Sequence, residues 1–303
     1  MPAEAKALLL LLARKGESAE EFYGCLEALR RFEPPKESFP DLLDTCGTGG
    51  DSSSSINVST IAAFVAAGAG ARVAKHGNRA ISSKCGSSDL MAALGVKLDA
   101  PESRMQRAIR RCGIGYFHAP YYHPVFARVQ ALRRQLRIRT IFNLLGPLAN
   151  PCRLRYQLVG VSSPRNFKLY TAVLRRLGLR RAAVCYGRDG LDEVSTRGRT
   201  DLAVIENGRV LRTVLDPRRL GVRTGKWNYR VGGIAANRAA ALRLLKGELK
   251  GPLRDLIVLN SAVALFVAGK APSIKDGFRL SERSLDSGRA YRAYVGLKRI
   301  SNE

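Results

Sequence analysis

Apolar positions in the first thirty residues recur at helical spacing and predict helices over 3–14 and 18–32. The second helix is capped by Ser18, with Glu20 and Glu21 in its first turn. The run Leu8–Leu12 is closed by Arg14-Lys15 and is too short to span a bilayer, so it reads as a core helix segment. Pro34-Pro35 and Pro40 then break the pattern, as a linker into a new domain would. Beyond the break, short apolar strands are predicted at Ala71–Ala74, Gly115–His118, Leu158–Val161 and Ala182–Tyr186. They alternate with helices over 61–67, Leu90–Leu94, Glu102–Cys112 and Asn166–Leu177. The polar, Arg-rich run Pro124–Leu136 reads as a helix that groups with the N-terminal ones. The chain ends in helices over Ala235–Lys246, Leu253–Val267 and Ser273–Ser287, the middle one strongly apolar on one face. Strand–helix alternation of this kind predicts an α/β fold with a central, mainly parallel sheet.

At 303 residues and 46% hydrophobic, the chain can bury a full core. Its net charge of +26 is carried by 38 Arg and 13 Lys. Such a surface suits nucleic acid, gathers anionic substrates, or simply decorates solvated helix faces, since the charges form no long tract. The six cysteines form no CxxC pair and no metal spacing with the three histidines, so reduced thiols are expected. A cytoplasmic protein with no membrane partner is the expectation.

Chemistry concentrates in a few loops. In Asp44-Thr-Cys-Gly-Thr-Gly-Gly-Asp51, three glycines in four positions let the backbone approach a ligand closely. Ile56-Asn-Val-Ser-Thr60 then leads into a helix, so backbone N–H groups and the helix dipole form an anion cradle. Asn57, Ser59 and Thr60 add side-chain donors, and Asp51 adds a carboxylate. Neither GxxxxGK[ST] nor GxGxxG is present. Lys75-His-Gly-Asn-Arg79 follows a strand, where open α/β sheets gather ligands; three cationic or potentially cationic groups and an amide suit a phosphate ester, or form an ordinary solvated turn. Ser87 or Ser88 is expected to cap the next helix, with the other hydroxyls facing a second anion position. Asp189-Gly-Leu-Asp192-Glu193 resembles a hard-cation site on a strand-end loop, or a polar turn with Gly190 at positive φ. Arg133 is suited to grip a carboxylate bidentately, unless it and Arg134 are only a solvated face; Asn143, Gly146 and Pro147 suggest a flat, partly greasy pocket.

Taken together, GTGGD at 47–51, NVST at 57–60, KHGNR at 75–79, CGSSD at 85–89, HP at 123–124, FNLLGPLANP at 142–151 and DGLDE at 189–193 resemble the anthranilate phosphoribosyltransferase family, in the family's order. The resemblance implies a small all-helical domain (1–40 and about 120–143) and a large α/β domain (41–119 and about 144–303). It implies transfer of a phosphoribosyl group from phosphoribosyl pyrophosphate to anthranilate, with Mg²⁺ as cofactor, two ions per site. Gly47, Gly49, Gly50, Asp51, Asn57, Ser59, Thr60, Lys75 and Ser87 would contact the donor. Ser59, Asp192 and Glu193 would serve the metal, and Gly47, Asn78, His76, His123, Arg133 and Gly146 would meet anthranilate. Lys75, His76 and Asn78 would be the catalytic group, with His76 the candidate for the amine proton. Phe126 stands where the family often has tyrosine, and two helices precede the linker where about two more are usual in the family's homodimer. Competing readings are a pyrimidine nucleoside phosphorylase-like enzyme and a basic nucleic-acid-binding relative of the fold.

Overall fold

The structure, a computed structural model, describes residues 3–36, 39–49, 56–80, 84–125, 136 and 138–303. It opens with α1 (Ala3–Lys15) and α2 (Ala19–Phe32). A capping box starts α2: Ser18 Oγ accepts from the Glu21 N–H at 3.2 Å, and Glu21 accepts from the Ser18 N–H at 2.9 Å.

The core of the fold is one seven-stranded sheet in the order β3-β2-β1-β4-β5-β6-β7. Its strands are β1 (Leu42–Gly47), β2 (Arg72–Gly77), β3 (Ile114–His118), β4 (Tyr156–Gly160), β5 (Arg181–Gly187), β6 (Thr200–Glu206) and β7 (Arg209–Leu215). The first five run parallel, joined by α3 (Val58–Gly68), α4 (Ser87–Ala93), α5 (Glu102–Cys112), α6 (Ala119–Tyr122), α7 (Ile141–Leu145) and α8 (Pro164–Arg176). The last two strands are antiparallel, so the sheet is mainly parallel, as expected. Four helices close the chain: α9 (Ile234–Leu245), α10 (Pro252–Val267), α11 (Ile274–Asp286) and α12 (Arg289–Asn302).

Strand pleating sends alternate side chains to opposite faces. On β5, Ala183 and Cys185 join a core with α3, α5, α10 and α12, while Ala182 and Val184 join a second core on the other face. That second core takes in Leu9 and Leu12 of α1, Phe22 and Leu26 of α2, Ile141 and Leu145 of α7, and Tyr170 and Val173 of α8. The predicted helix Pro124–Leu136 falls almost wholly outside the described residues. The sequence pattern did not reveal β1, the β6–β7 hairpin, α6, α7 or α12. The hairpin had a signal in Asn207-Gly208, a two-residue loop whose φ values of 49° and 76° are those of the turn that matches strand twist.

Candidate active site

Going outward from β1, β2 lies on one side and β4 on the other, so the chain reverses direction across the sheet between β1 and β4. Ligands in open α/β sheets bind in the crevice that such a reversal leaves at the strand carboxyl ends. The four strands β1, β2, β4 and β5 all end in glycine here: Gly47, Gly77, Gly160 and Gly187. Absent side chains let the next segment press in. A Cβ on Gly47 would lie 2.4 Å from Asp192 Oδ2, and one on Gly160 would lie 1.7 Å from the Asp192 carbonyl. Asp192 is held further by the Gly49 N–H, which donates to Oδ2 at 2.6 Å, with Gly49 at φ +65°. Its neighbour Glu193 lines a cleft with Thr45, Ser59, Gly160 and Asn260.

The β2 end forms a second cluster. Lys75 is only 1% exposed, and its Nζ donates to the His76 carbonyl at 2.9 Å. The buried Asp44 carboxylate accepts from the His76 N–H at 3.3 Å and from Asn150 Nδ2 at 2.9 Å; the same amide reaches the Ala74 carbonyl at 2.8 Å. Burial pushes the Asp44 carboxyl up to about 6, against the opposing Lys75 charge and the two hydrogen bonds. The His76 ring meets His123 edge to face at 5.2 Å. His123 Nδ1 in turn donates to Glu33, just past the end of α2, at 2.7 Å, and the Val125 N–H donates to the same carboxylate at 2.8 Å. Burial, with the neighbouring His123 and Lys75 charges, holds His76 well below the ordinary imidazole range, while a backbone hydrogen bond at Gly146 opposes the shift. His76 is therefore neutral at pH 7, and its buried Nε2 has no hydrogen-bond partner among the described residues. A buried polar atom left without a partner points to a ligand.

A third cluster flanks Gly77, where a Cβ would lie 2.0 Å from Ser87 Oγ. Ser87 Oγ donates to the Asn78 carbonyl at 3.3 Å and receives the Tyr116 hydroxyl at 3.4 Å; Ser88 lies between Tyr116 and His118 Nδ1 at 2.6 and 2.7 Å. Neither serine caps α4. Gly86 holds the cap position, and Asp89 accepts from the Gly86 and Ala80 N–H groups at 3.0 and 2.9 Å, which leaves Ser87 turned to the crevice side of Gly77.

A family model for the glycosyl transferase family, a/b domain, matches residues 39–291. The anthranilate phosphoribosyltransferase of Rubrobacter xylanophilus is 44% identical over 301 residues, covering 99% of this chain and 88% of its own. The crystal structure of the Thermus thermophilus anthranilate phosphoribosyltransferase superposes with a TM-score of 0.92 at 40% identity, over 100% of this chain and 91% of that one. The chain belongs to the anthranilate phosphoribosyltransferase family. A Saccharomyces cerevisiae member in complex with PRPP and Mg superposes with a TM-score of 0.89 at 27% identity, over 98% of this chain and 85% of that one. As a member of a glycosyl transferase family the chain is an enzyme, which sets aside the nucleic-acid-binding reading.

Within this family member, Gly47, Gly49, Ser59, Asp192 and Glu193 meet at the β1–β4 crevice, and Lys75, His76 and His123 meet at the end of β2. Asn78 is exposed beside Ser87, and Gly146 opens onto free space at the end of α7. Asn57 takes the α3 cap position without a side-chain cap bond; its Nδ2 donates to the Cys85 carbonyl at 3.3 Å. Thr60 is fully buried in the first turn of α3. Gly50, Asp51, Arg133 and Arg134 lie outside the described residues. Glu33, Asp44, Asn150 and Asn260 were missed, because their roles are contacts made across the chain and carry no local signature. Among the described residues no three or more His, Cys, Asp or Glu side chains form a cage for a metal. Two carboxylates and a hydroxyl at one crevice instead fit Mg²⁺, which keeps waters and takes substrate phosphate oxygens.

Proposed function

We infer that this chain transfers the phosphoribosyl group of phosphoribosyl pyrophosphate to the amine of anthranilate, releasing pyrophosphate, the second step of tryptophan synthesis from chorismate. The observation that carries this reading is the crevice between β1 and β4, where Asp192 is seated against Gly47, Gly49 and Gly160. Gly47, Gly49, Gly50, Asp51, Asn57, Ser59, Thr60, Lys75 and Ser87 hold the donor's phosphates and ribose. Ser59, Asp192 and Glu193 hold Mg²⁺, two ions per site, which neutralises charge on the departing pyrophosphate. Lys75, buried beside the same strand ends, adds a fixed positive charge where the leaving group develops its own.

The acceptor lies on the β2 side, between His76, Asn78, His123 and Gly146, with Arg133 on its carboxylate. His76 stays neutral, so its Nε2 accepts a hydrogen bond from the amine and orients it, while its weak basicity leaves much of the rate to positioning. The helical part (1–40 and about 120–143) closes this side through Glu33, which binds both His123 and the Val125 N–H. A homodimer is part of the reading, supported by Leu8 and Leu11, which stand exposed on α1 at 56% and 63%. Among the described residues no helix is long and apolar enough to cross a membrane, and the reading is of a cytoplasmic enzyme. The test is loss of anthranilate fluorescence with phosphoribosyl pyrophosphate, with and without Mg²⁺. No Mg²⁺-dependent consumption by the pure protein would refute the reading.

A further inference from the structure

Helix α10 is apolar almost throughout, yet Asn260 sits in its middle at 1% exposure. A buried amide is costly unless its polar atoms are paired. This one is paired in a specific way. Asn260 Oδ1 accepts from the Val194 N–H at 2.9 Å, and Nδ2 donates to the Val194 carbonyl at 2.9 Å and to the Leu256 carbonyl at 2.9 Å. The side chain thus binds both polar groups of one residue's main chain, as a neighbouring strand would, at a point beyond the end of β5 where no strand runs.

Val194 directly follows Glu193, and Asp192 directly precedes it. Asp192 is fixed by Gly47, Gly49 and Gly160, and Val194 by Asn260, so Glu193 is suspended between two anchored neighbours. The helix carrying Asn260 also packs along α3, where Ser261 Oγ reaches the Ala62 carbonyl at 3.5 Å, one turn beyond Ser59. Ser59 is itself tied to β1 by Thr45 Oγ1, which donates to its carbonyl at 3.0 Å. One helix therefore references both sides of the cleft that Ser59, Glu193 and Asn260 line together.

We propose that Asn260 is a positioning residue that sets the Glu193 carboxylate at its working distance from Ser59 and so fixes the enzyme's affinity for Mg²⁺. The inference rests on the assignment of Ser59 and Glu193 to the metal. Groups behind metal ligands typically change metal affinity ten- to a hundredfold when removed.

The test compares wild type and N260A for the Mg²⁺ concentration at half-maximal velocity and for the anthranilate KM. Binding of Mg²⁺ with pyrophosphate, without turnover, is followed by calorimetry. N260A should raise the Mg²⁺ requirement about ten- to a hundredfold, weaken the calorimetric binding in step, and leave the anthranilate KM unchanged. Adding E193Q to N260A should cost far less than E193Q costs in wild type, because the two act on one ligand. A lower melting temperature and kcat with an unchanged Mg²⁺ requirement would make Asn260 a core residue only and overturn the proposal. If N260A does not fold, N260D, which keeps the acceptor for the Val194 N–H but loses both donations, is read by the same criteria. A wild type without Mg²⁺-dependent activity would overturn the metal assignment and this inference together; a Mg²⁺-dependent wild type with an unaltered N260A would overturn this inference alone.

Discussion

The main-chain carbonyl of Asp192 stands where a side chain on Gly160 would begin, with 1.7 Å between that oxygen and a Cβ built at position 160. No rotamer change relieves such a contact, because both partners are backbone. G160A must push the 189–193 loop off the end of β4. We expect a loss of kcat/KM of at least a hundredfold and a stability cost of about 1–3 kcal/mol, read by steady-state kinetics and urea unfolding. Normal kinetics in G160A would mean that the seat of Asp192 does not matter.

Gly146 is the counter-case. Its φ of −48° is helical, and a Cβ there meets nothing within 4 Å. G146A should therefore fold as well as wild type. If the open space belongs to the acceptor, the added methyl should raise the anthranilate KM roughly tenfold and leave the donor KM alone. An unchanged anthranilate KM would move the acceptor elsewhere.

Asp44 gives a pH dependence with a definite sign. Its folded value of about 6 lies above the ordinary 3.8, so the folded protein binds this proton more tightly than the unfolded chain. The resulting stability is fully present below pH 3.8 and is lost as pH rises through about 6. D44N removes that slope. The melting temperature of D44N minus that of wild type should become more positive between pH 4 and pH 7, by an amount on the order of 2–3 kcal/mol in stability. A constant difference across that range would show that Asp44 does not titrate there.

Glu33 receives two hydrogen bonds from the 123–125 segment, one from a buried imidazole. E33A takes the shared acceptor away from both donors, which should cost about 1–3 kcal/mol. Because His123 abuts His76, the anthranilate KM should rise while the phosphoribosyl pyrophosphate KM holds. A defect in the donor KM alone would place Glu33 on the wrong side of the site.

Residues that act on their own sequence neighbourhood were readable in the chain. The Ser18 cap, the helix over Glu102–Cys112, the positive φ of Gly190 and the glycine loop at 47–49 depend on local backbone chemistry, and each stands where the sequence placed it. Asp44 bonded to Asn150, Glu33 to His123 and Asn260 to Val194 join positions 106, 90 and 66 residues apart, and no spacing rule reaches that far. Ser87 fails in a different way. A serine ahead of a helix is a fair cap, but Gly86 holds the cap position and Asp89 folds back to accept from its N–H. Strand β1 was hidden because Asp44, Thr45 and Cys46 interrupt its apolar pattern, and Asp44 and Thr45 are bonded to His76 and Ser59 of the site.

The second core has a bearing on how the chain comes to be folded. Phe22 meets Tyr170 edge to face at 5.2 Å, and its other partners in that core, from Ile141 to Ile205, are also distant in sequence. Synthesis delivers α1 and α2 well ahead of the surface that receives them: α7, β4, α8 and β5 must all leave the ribosome before that surface is complete. Until then Leu9, Leu12, Phe22 and Leu26 face water on a nascent chain. These two helices are made early and secured late, and a chain stalled short of Tyr170 should lose them to protease while one carried through to β5 keeps them.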